Sequence, residues 1–271
     1  MSKLTDRHPR GLPGYLALVE QLQRKAACPL WYRGCGRASY HLAPSLYRHP
    51  SLRDASDLAD LERQLMTRFR QRSIPYHTRN LSDDWDALFF MQHYGVPTRL
   101  LDWTENPLIA LHFALMLAPR RPRRRRGLEY QEAAAVWILH PQAWNRSALS
   151  RLSYAAGPLT PGDEALKGYS PIAAAGARSN YPVALYGAHN SSRIVAQQGV
   201  FVIFGRDKTP MEKLDRRHGF SGRELTKVTI LRSRIPAMRR SLLNDGITES
   251  VVFPDLEGLA RETKRHFGFE A

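Results

Sequence analysis

Two strongly apolar helices on either side of a short polar loop constrain the fold of this chain most. The first predicted helix begins at the N-cap Ser82 and ends near Gly95, and the second begins at Pro107 and runs to Pro119. Both are apolar on most sides, and helices of that kind are buried. We therefore expect both helices at the centre of the fold.

The strands of the chain are predicted late in the sequence. Three short segments rich in β-branched and aromatic residues are typical of strands, and they cover residues 134–139, 199–204 and 225–231. The third alternates apolar and polar residues, which predicts an edge or half-exposed strand. Further helices are predicted over 57–71, over 233–244 and after the cap Asp255. Because helices come first and strands later, without βαβ alternation, the predicted fold class is α+β.

The chain shows no internal repeat and no sharp change of composition, which favours a single domain. Its 271 residues, 43% of them hydrophobic, are enough to bury one large core. We expect an N-terminal extension or helix, a main domain, a basic loop and a variable insertion inside that domain, and the end of a C-terminal helix. These parts cover residues 1–25, 26–258, 119–127, 145–192 and 259–271, respectively.

The chain is strongly basic, with a formal net charge of +15, and Arg120–Arg126 contains six arginines in seven positions. A charge of +9 remains without them, so the whole surface attracts anions such as nucleic acid, an acidic protein or a phosphorylated small molecule. Pro119 and Pro122 favour a solvated loop over a specific RNA-binding element. The absence of a long apolar run and the presence of only two cysteines predict a cytoplasmic protein that does not span a membrane.

The polar loop between the two apolar helices holds most of the candidate functional residues. Loops held by a rigid scaffold often carry function. Each candidate has a structural alternative, because His93 could cap its helix, Arg99 could pair with Asp102, and Trp103 could be core packing. The candidates in and beside the loop are His93, Tyr94, Arg99, Asp102, Trp103 and Thr104.

Other candidates precede strands. Arg33 follows Trp31-Tyr32 and precedes Gly34, an arrangement that can present a bidentate donor to phosphate or carboxylate, or pair with a structural acid such as Asp102. The polar stretch from Arg193 to Gln197 leads into the strand at 199–204 and could line a cleft. Glu224 and Glu249 each open a predicted strand, and such isolated carboxylates are more often surface charges.

These motifs together resemble the FRG domain family, named for a Phe-Arg-Gly triplet that is Tyr32-Arg33-Gly34 in this chain. The segment His93–Thr104 carries the most specific part of the resemblance, and the late segment Phe253–Gly258 supports it. The likeness covers roughly residues 26–120 and 190–258, so the expected FRG domain is 26–258. The family occurs among bacterial defence and toxin-like genes.

A remoter likeness connects the same motifs to bacterial ADP-ribosyltransferases, in which the Arg of Tyr-Arg-Gly contacts the NAD phosphates and ribose. The resemblance implies an NAD-phosphate site at Arg33 and Gly34 and a ribose contact at Thr104. The nicotinamide face falls to Trp103 or Tyr94. The remaining nucleotide-binding candidates are Arg99 and Arg193.

The same resemblance assigns catalytic roles. His93 and Asp102 organise the cleft, with Gln197 or Glu249 at the reacting carbon. Gln197 stands where the family has a glutamate, and a glutamine keeps the hydrogen bond to the ribose but loses the charge that stabilises an oxocarbenium-like state. The sequence therefore leaves open whether another acid replaces that glutamate.

The combined expectation is one α+β domain with an ADP-ribosyltransferase-like split β core wrapped by the N-terminal helices. The expected activity is that of an NAD-dependent ADP-ribosyltransferase or NAD glycohydrolase, a toxin or phage-defence effector. NAD is the expected substrate, with no metal. The expected partners are an anionic target bound through Arg120–Arg126 and an antitoxin or regulator. The alternatives are a nucleic-acid-binding module or nuclease, and an inert nucleotide-binding sensor.

Overall fold

The computed structural model describes residues 5–78, 80–122, 128–150, 157–188 and 191–269, and its centre is a seven-stranded mixed sheet with the strand order β1-β9-β6-β2-β3-β8-β7. The strands are β1 Thr5–Arg7, β2 Trp31–Cys35, β3 Leu100–Thr104, β6 Ala134–Leu139, β7 Val183–Leu185, β8 Gly199–Ile203 and β9 Leu225–Ile230. Only β1 and β9 pair in parallel; every other neighbouring pair in this sheet is antiparallel.

Helices cover the sheet, and the mixture of helices with one mixed sheet confirms the α+β class. The five predicted helices are confirmed at α2, α3, α4, α7 and α9. The helices are α1 Leu12–Gln23, α2 Ala55–Ser73, α3 Asp84–His93, α4 Pro107–Met116, α5 Pro141–Ala148, α6 Ser192–Ala196, α7 Ile235–Asn244, α8 Glu249–Val252 and α9 Leu256–His266. No described helix is long and apolar enough to span a membrane.

The two central strands of the sheet diverge from each other. β2 and β3 share a single register pair, Tyr32 with Thr104, whereas β2 pairs with β6 over five residues and β3 pairs with β8 over five residues. The sheet is therefore held as two halves joined at one point. Backbone groups of β2 and β3 beyond that point do not pair with each other, which leaves space between the two strands.

Both apolar helices lie at the centre of the fold, as the sequence predicts. α4 packs against β2, where a Cβ on Gly34 would lie 1.9 Å from the carbonyl oxygen of Ala110. α3 packs against the other half of the sheet, and its residues 87–91 are all buried. The N-cap of α3 is Asp83, whose side chain accepts a hydrogen bond from Asp86 N (2.9 Å), so the expected cap at Ser82 is wrong.

The N-terminal 25 residues are part of the same core. Leu12, Tyr15 and Val19 on α1 are buried with residues of β6, β9 and α7. β1 pairs with β9, so β9 lies inside the sheet and the expectation of an edge strand there is wrong. The side chains of β9 are buried except for the partly buried Lys227.

The region 145–192, expected as a variable insertion, contributes to the core as well. β7 pairs with β8, and Leu159, Leu166 and Tyr169 are buried beside it. The sequence did not predict this burial, because the three large side chains are scattered among Ala, Gly and Ser residues. They therefore form no periodic apolar pattern. Residues 151–156 and 189–190 of this region lie outside the described residues.

The Arg-rich segment begins as a strand, which corrects the expectation of a loop for its first residues. β4 Arg120–Pro122 pairs with β5 Leu128–Tyr130 in a separate two-stranded sheet. Residues 123–127 lie outside the described residues. Pro122 is compatible with this pairing because a proline without an N–H donor is tolerated in an edge strand.

Candidate functional site

A cleft of about 250 Å³ opens where β2 and β3 diverge. Its base is formed by the two strands, and its walls come from the end of α3, from α4 and from α6. Eight of the eleven predicted site residues line it, so the structure brings together segments that lie far apart in the chain. These eight are Arg33, Gly34, His93, Asp102, Trp103, Thr104, Arg193 and Gln197.

Arg33 bridges the gap between the two diverging strands. Its Nη1 donates a hydrogen bond to the backbone carbonyl oxygen of Asp102, and its side chain is half-buried. The alternative that the sequence left open, a pairing of the Arg33 guanidinium with the Asp102 carboxylate, is not formed. The Arg33 guanidinium also contacts the thiol of Cys35. Because a guanidinium has five N–H donors, Arg33 keeps donors for a ligand after these two contacts.

Gly34 is required by packing, because a side chain there would collide with α4. An added Cβ would lie 2.6 Å from the backbone nitrogen of Ala114 as well as 1.9 Å from Ala110 O. The close approach brings α4, with Phe113 and Leu117, to the edge of the cleft. Gly34 therefore shapes the site through the position of α4.

The Asp102 carboxylate is exposed and held by Gln92, a residue that the sequence analysis did not select. Gln92 Nε2 donates to Asp102 Oδ2 (2.8 Å), and Thr98 Oγ1 donates to Gln92 Oε1 (2.5 Å). The Leu100 backbone N–H donates to Thr98 Oγ1 (3.0 Å). Since that hydroxyl receives the Leu100 proton, its own proton points at Gln92 and fixes the orientation of the amide. Gln92 immediately precedes His93, and this adjacency to the polar loop is the signal that could have identified it.

His93 and Tyr94 lie between the cleft and a wider outer groove of about 600 Å³. The outer groove shares Gln92, His93, Asp102 and Arg193 with the cleft, so the two spaces adjoin. His93 Nδ1 lies 3.4 Å from Ser191 Oγ, and the side chain of Tyr94 is 63% exposed.

Thr104 and Gln197 hold the cleft together. Thr104 Oγ1 donates to the Gln197 carbonyl oxygen (2.6 Å) and accepts from the Asn106 N–H (3.0 Å). Gln197 Nε2 donates to the Val252 carbonyl oxygen (3.1 Å). Gln198, next in the chain, has φ = +46°, and of the described non-glycine residues only this one has a positive φ. This strained residue lies in the turn that connects α6 to β8.

Aromatic side chains form the apolar part of the cleft. Trp103 is buried in a core cluster with Leu101 and Phe204, and its Nε1 has no hydrogen-bond partner in the described part of the chain. Trp103 therefore acts first as core packing, the structural alternative given by the sequence. Burial raises the pKa of Tyr32 to about 12, and the hydrogen bond from Gln23 opposes this rise. The phenol of Tyr32, whose hydroxyl accepts a hydrogen bond from Gln23 of α1, is therefore neutral at physiological pH.

Arg99 lies outside the cleft, and the expectation that it binds a nucleotide is corrected. Its side chain is fully buried, with Nε bonded to Glu62 (2.7 Å), Nη1 to Phe204 O (2.6 Å) and Nη2 to Tyr169 O (2.8 Å). Glu62 also pairs with Arg178 (2.8 Å). All three guanidinium nitrogens of Arg99 are committed inside the protein, so it reaches neither a ligand nor Asp102.

Glu249 also lies outside the cleft. It begins the short helix α8, which corrects the expected strand, and both of its carboxylate oxygens accept hydrogen bonds from Arg265 Nε (3.0 and 2.9 Å). Its side chain is buried. The paired and buried carboxylate is not placed at the reacting carbon of a ligand in the cleft. Glu224, in contrast, precedes β9 as the sequence predicts.

The family comparison identifies part of this architecture. The model of the family described as the FRG domain matches residues 29–121. That range includes β2, α2, α3, β3 and α4, and therefore Arg33, Gln92 and Asp102. No curated protein and no solved structure matches the chain.

Proposed function

We propose that this chain, which carries an FRG domain, binds NAD in the cleft between β2 and β3 and cleaves its nicotinamide–ribose bond. ADP-ribose is then transferred to an acceptor or released to water. The observation that carries the proposal is the placement of an arginine and an exposed carboxylate on diverging strands of one cleft. Arg33 and Asp102 occupy these positions.

The charges of the cleft suit a dinucleotide. The pyrophosphate of NAD is anionic, and the planar guanidinium of Arg33 can bind it in a bidentate manner. Arg193, on α6, adds a second cation to the lining. Bond cleavage passes through an oxocarbenium-like state, and a nearby carboxylate stabilises its positive charge.

Asp102 is the best candidate for that carboxylate. Gln197 lines the cleft but carries no charge, and its amide nitrogen donates to the Val252 carbonyl oxygen. The carboxylate of Glu249 is outside the cleft lining and bonded to Arg265. Asp102 is exposed to the cleft and oriented by Gln92. In this proposal Asp102 replaces the missing glutamate, and His93 borders the same space.

The volumes of the two adjoining spaces suit a ligand with two parts, one in each space. The cleft, at about 250 Å³, lies below the roughly 300–1,000 Å³ that is usual for a site enclosing a drug-sized ligand. It is therefore suited to the nicotinamide and its ribose. The outer groove, at about 600 Å³, has room for the remainder of the dinucleotide.

The direct test incubates the purified protein with NAD and measures the release of nicotinamide. Asp102→Asn is expected to reduce the rate by about 10²–10³-fold, the usual effect of removing one electrostatic contact to the transition state. Asp60→Asn, an exposed carboxylate on α2, is the matched control and should retain the rate. The absence of both NAD consumption and NAD binding would contradict the proposal, and cleavage of RNA or DNA by the same sample would favour a nuclease.

We further propose that the activity serves a toxin or phage-defence effector with an anionic target. The net charge of +15 and the arginines at the β4–β5 hairpin support this part of the proposal. Affinity for a nucleic acid should then fall steeply between low and moderate salt, because each neutralised phosphate releases counterions. Salt-independent binding would contradict a nucleic-acid target.

A further inference from the structure

Ser191 lies in the lining of the outer groove, beside the end of α3. Its hydroxyl oxygen lies 3.4 Å from Nδ1 of His93, although the two residues are 98 positions apart in the chain. Ser191 is half-buried, and it lines the groove together with His93, Asp102 and Arg193. A hydroxyl group and an imidazole therefore meet beside the carboxylate that the proposed reaction uses.

The contacts of Ser191 set the direction in which its hydroxyl donates. Ser191 is the N-cap of α6, and its Oγ accepts a hydrogen bond from the Ile194 backbone N–H (3.2 Å). The hydroxyl proton therefore points away from that N–H, and among the described residues the acceptor within reach is Nδ1 of His93. A distance of 3.4 Å is usual for a nucleophile and its base before the substrate binds.

Other hydroxyl groups line the outer groove, but only Ser191 has a base beside it. An alcohol attacks a carbon atom readily only when a base takes up its proton. Within the described part of the chain, no other hydroxyl of this lining lies within hydrogen-bond distance of an imidazole nitrogen. The hydroxyl groups of the lining belong to Ser45, Tyr94, Ser191 and Ser192.

The two adjoining spaces place the Ser191 hydroxyl and the leaving group on different sides of the reacting carbon. In the proposed reaction the cleft holds nicotinamide and its ribose, and Asp102, which lines both spaces, stabilises C1′ of that ribose. Ser191 approaches C1′ from the outer groove, whereas nicotinamide departs into the cleft. Displacement at a sugar carbon requires this arrangement, because the entering oxygen attacks the face opposite the leaving group.

We propose that Ser191 is an acceptor of ADP-ribose, so that the protein modifies itself, with His93 as the general base. The inference rests on the proposed function, because NAD must first bind in the cleft. The bond between C1′ and the nicotinamide nitrogen breaks, and nicotinamide leaves with the electron pair. Oγ of Ser191 forms a bond to C1′, and its proton passes to Nδ1 of His93. The step needs no reactant besides NAD.

The experiment incubates the full chain with NAD that carries a label on its adenine, and it measures released nicotinamide and protein-bound label in the same sample. Mass spectrometry of peptides should locate the label at Ser191. Ser191→Asn is the decisive variant, because asparagine caps a helix as well as serine does but has no hydroxyl. This variant should lose the bound label and still release nicotinamide, with water as the acceptor.

Two further variants test the base and the choice of hydroxyl. His93→Gln should slow the labelling of Ser191 by about 10²–10⁴-fold, the usual effect of removing a general base. Ser192→Ala removes the neighbouring hydroxyl of the same groove and is the matched control, so it should keep the label at Ser191. Free ADP-ribose in place of NAD should leave Ser191 unlabelled, because no nicotinamide leaves.

The possible failures separate this inference from the proposed function. Release of nicotinamide without label at Ser191, or equal labelling of the unmutated chain and Ser191→Asn, would refute Ser191 as the acceptor and leave the reaction in place. A rate of labelling per molecule that rises with protein concentration would refute transfer within one chain. The absence of nicotinamide release from every sample would refute the proposed function and this inference together.

Discussion

The cluster around Arg99 and the cleft around Arg33 contain similar side chains, but only the cleft is open to a ligand. Arg99 and Glu62 are 0% and 2% exposed, and the guanidinium makes three bonds inside the protein. Arg33 is half-buried, and its internal contacts are one carbonyl of the neighbouring strand and the thiol of Cys35. Both arginines lie in or beside a distinctive motif, so the residue type does not separate them. The number of hydrogen-bond partners inside the protein separates the two arginines.

This difference shows that strand pairing decides which charged residues are buried in the core and which line the cleft. Where β3 pairs with β8 over five residues, the space beside them is filled, and a charge there must be neutralised internally. Where β2 and β3 share one pair, the backbone leaves space, and Arg33 and Asp102 remain available. Each prediction below tests one side of this contrast.

The largest expected effect is on the buried cluster. Glu62→Gln leaves Arg99 and Arg178 buried without a counter-charge, and the free energy of unfolding should fall by about 3–5 kcal/mol. Urea denaturation measures this loss. Asp60→Asn, on the same helix but exposed, should change the free energy of unfolding by less than about 1 kcal/mol. Equal losses for Glu62→Gln and Asp60→Asn would show that the buried cluster contributes no more to stability than an exposed ion pair.

The second prediction concerns a buried histidine that lacks hydrogen-bond partners among the described residues. Burial, followed by the charges of Arg239 and Arg265, lowers the pKa of His112 from 6.5 to about 4, and neither ring nitrogen has a hydrogen-bond partner in the described chain. The unfolded chain therefore binds the proton at a higher pH than the folded chain. The contribution of neutral His112 to the free energy of unfolding is fully present above pH 6.5. It is lost as the pH falls from 6.5 towards 4, and the loss is roughly 3 kcal/mol.

Unfolding experiments across this pH range test the contribution of His112. The variant His112→Asn has no proton to bind there, so its free energy of unfolding should depend less on pH between 6.5 and 4. An unchanged pH dependence in the variant would assign the effect to other groups.

The third prediction concerns the open side of the contrast. Arg33→Lys should weaken NAD binding by about 1–3 kcal/mol, because an ammonium cannot reproduce the planar fork of the guanidinium. The melting temperature of the free protein should change little, since Arg33 is half-buried and its internal contacts are one backbone carbonyl and the thiol of Cys35. Calorimetric titration and thermal unfolding of the same sample separate the two effects. A large loss of stability with unchanged NAD affinity would make Arg33 a structural residue like Arg99.

The smallest expected effect on stability lies at the hairpin. Arg121 pairs with Glu129 at 3.5 Å, and both side chains are exposed, so Arg121→Gln should cost no more than about 1 kcal/mol. Its affinity for a polyanion should decrease at low salt, and the slope of log affinity against log salt should become shallower by about one. An unchanged slope would show that Arg121 contacts no phosphate.

Local sequence patterns predicted the elements that carry their own signals. Asn106 caps α4, with its side chain accepting from Leu108 N (2.9 Å), and Asp255 caps α9, with its side chain accepting from Gly258 N (2.8 Å). Such caps act within four residues, so they are visible in the sequence. The grouping of His93, Asp102 and Arg33 was also predicted, because motif and family resemblance pointed to one site.

Contacts between distant segments decided the rest. The partners of Arg99 lie 37, 70 and 105 residues away in the chain, at Glu62, Tyr169 and Phe204. No local pattern can show whether an arginine meets such partners or solvent. The role of Gln92 likewise depends on Asp102, which β3 places beside the end of α3.

The sequence by itself determined the α+β class, the central place of α3 and α4, and the segments from which the cleft is built. Periodicity, helix caps and glycine positions act over a few residues, so a short stretch of sequence contains all the information they need. The tertiary structure alone decided which charged groups are buried, that β2 and β3 diverge, and that Ser191 lies beside His93. Burial depends on the packing of segments that are far apart in the chain, and packing decides whether the same side chain stabilises the fold or remains free to bind a ligand.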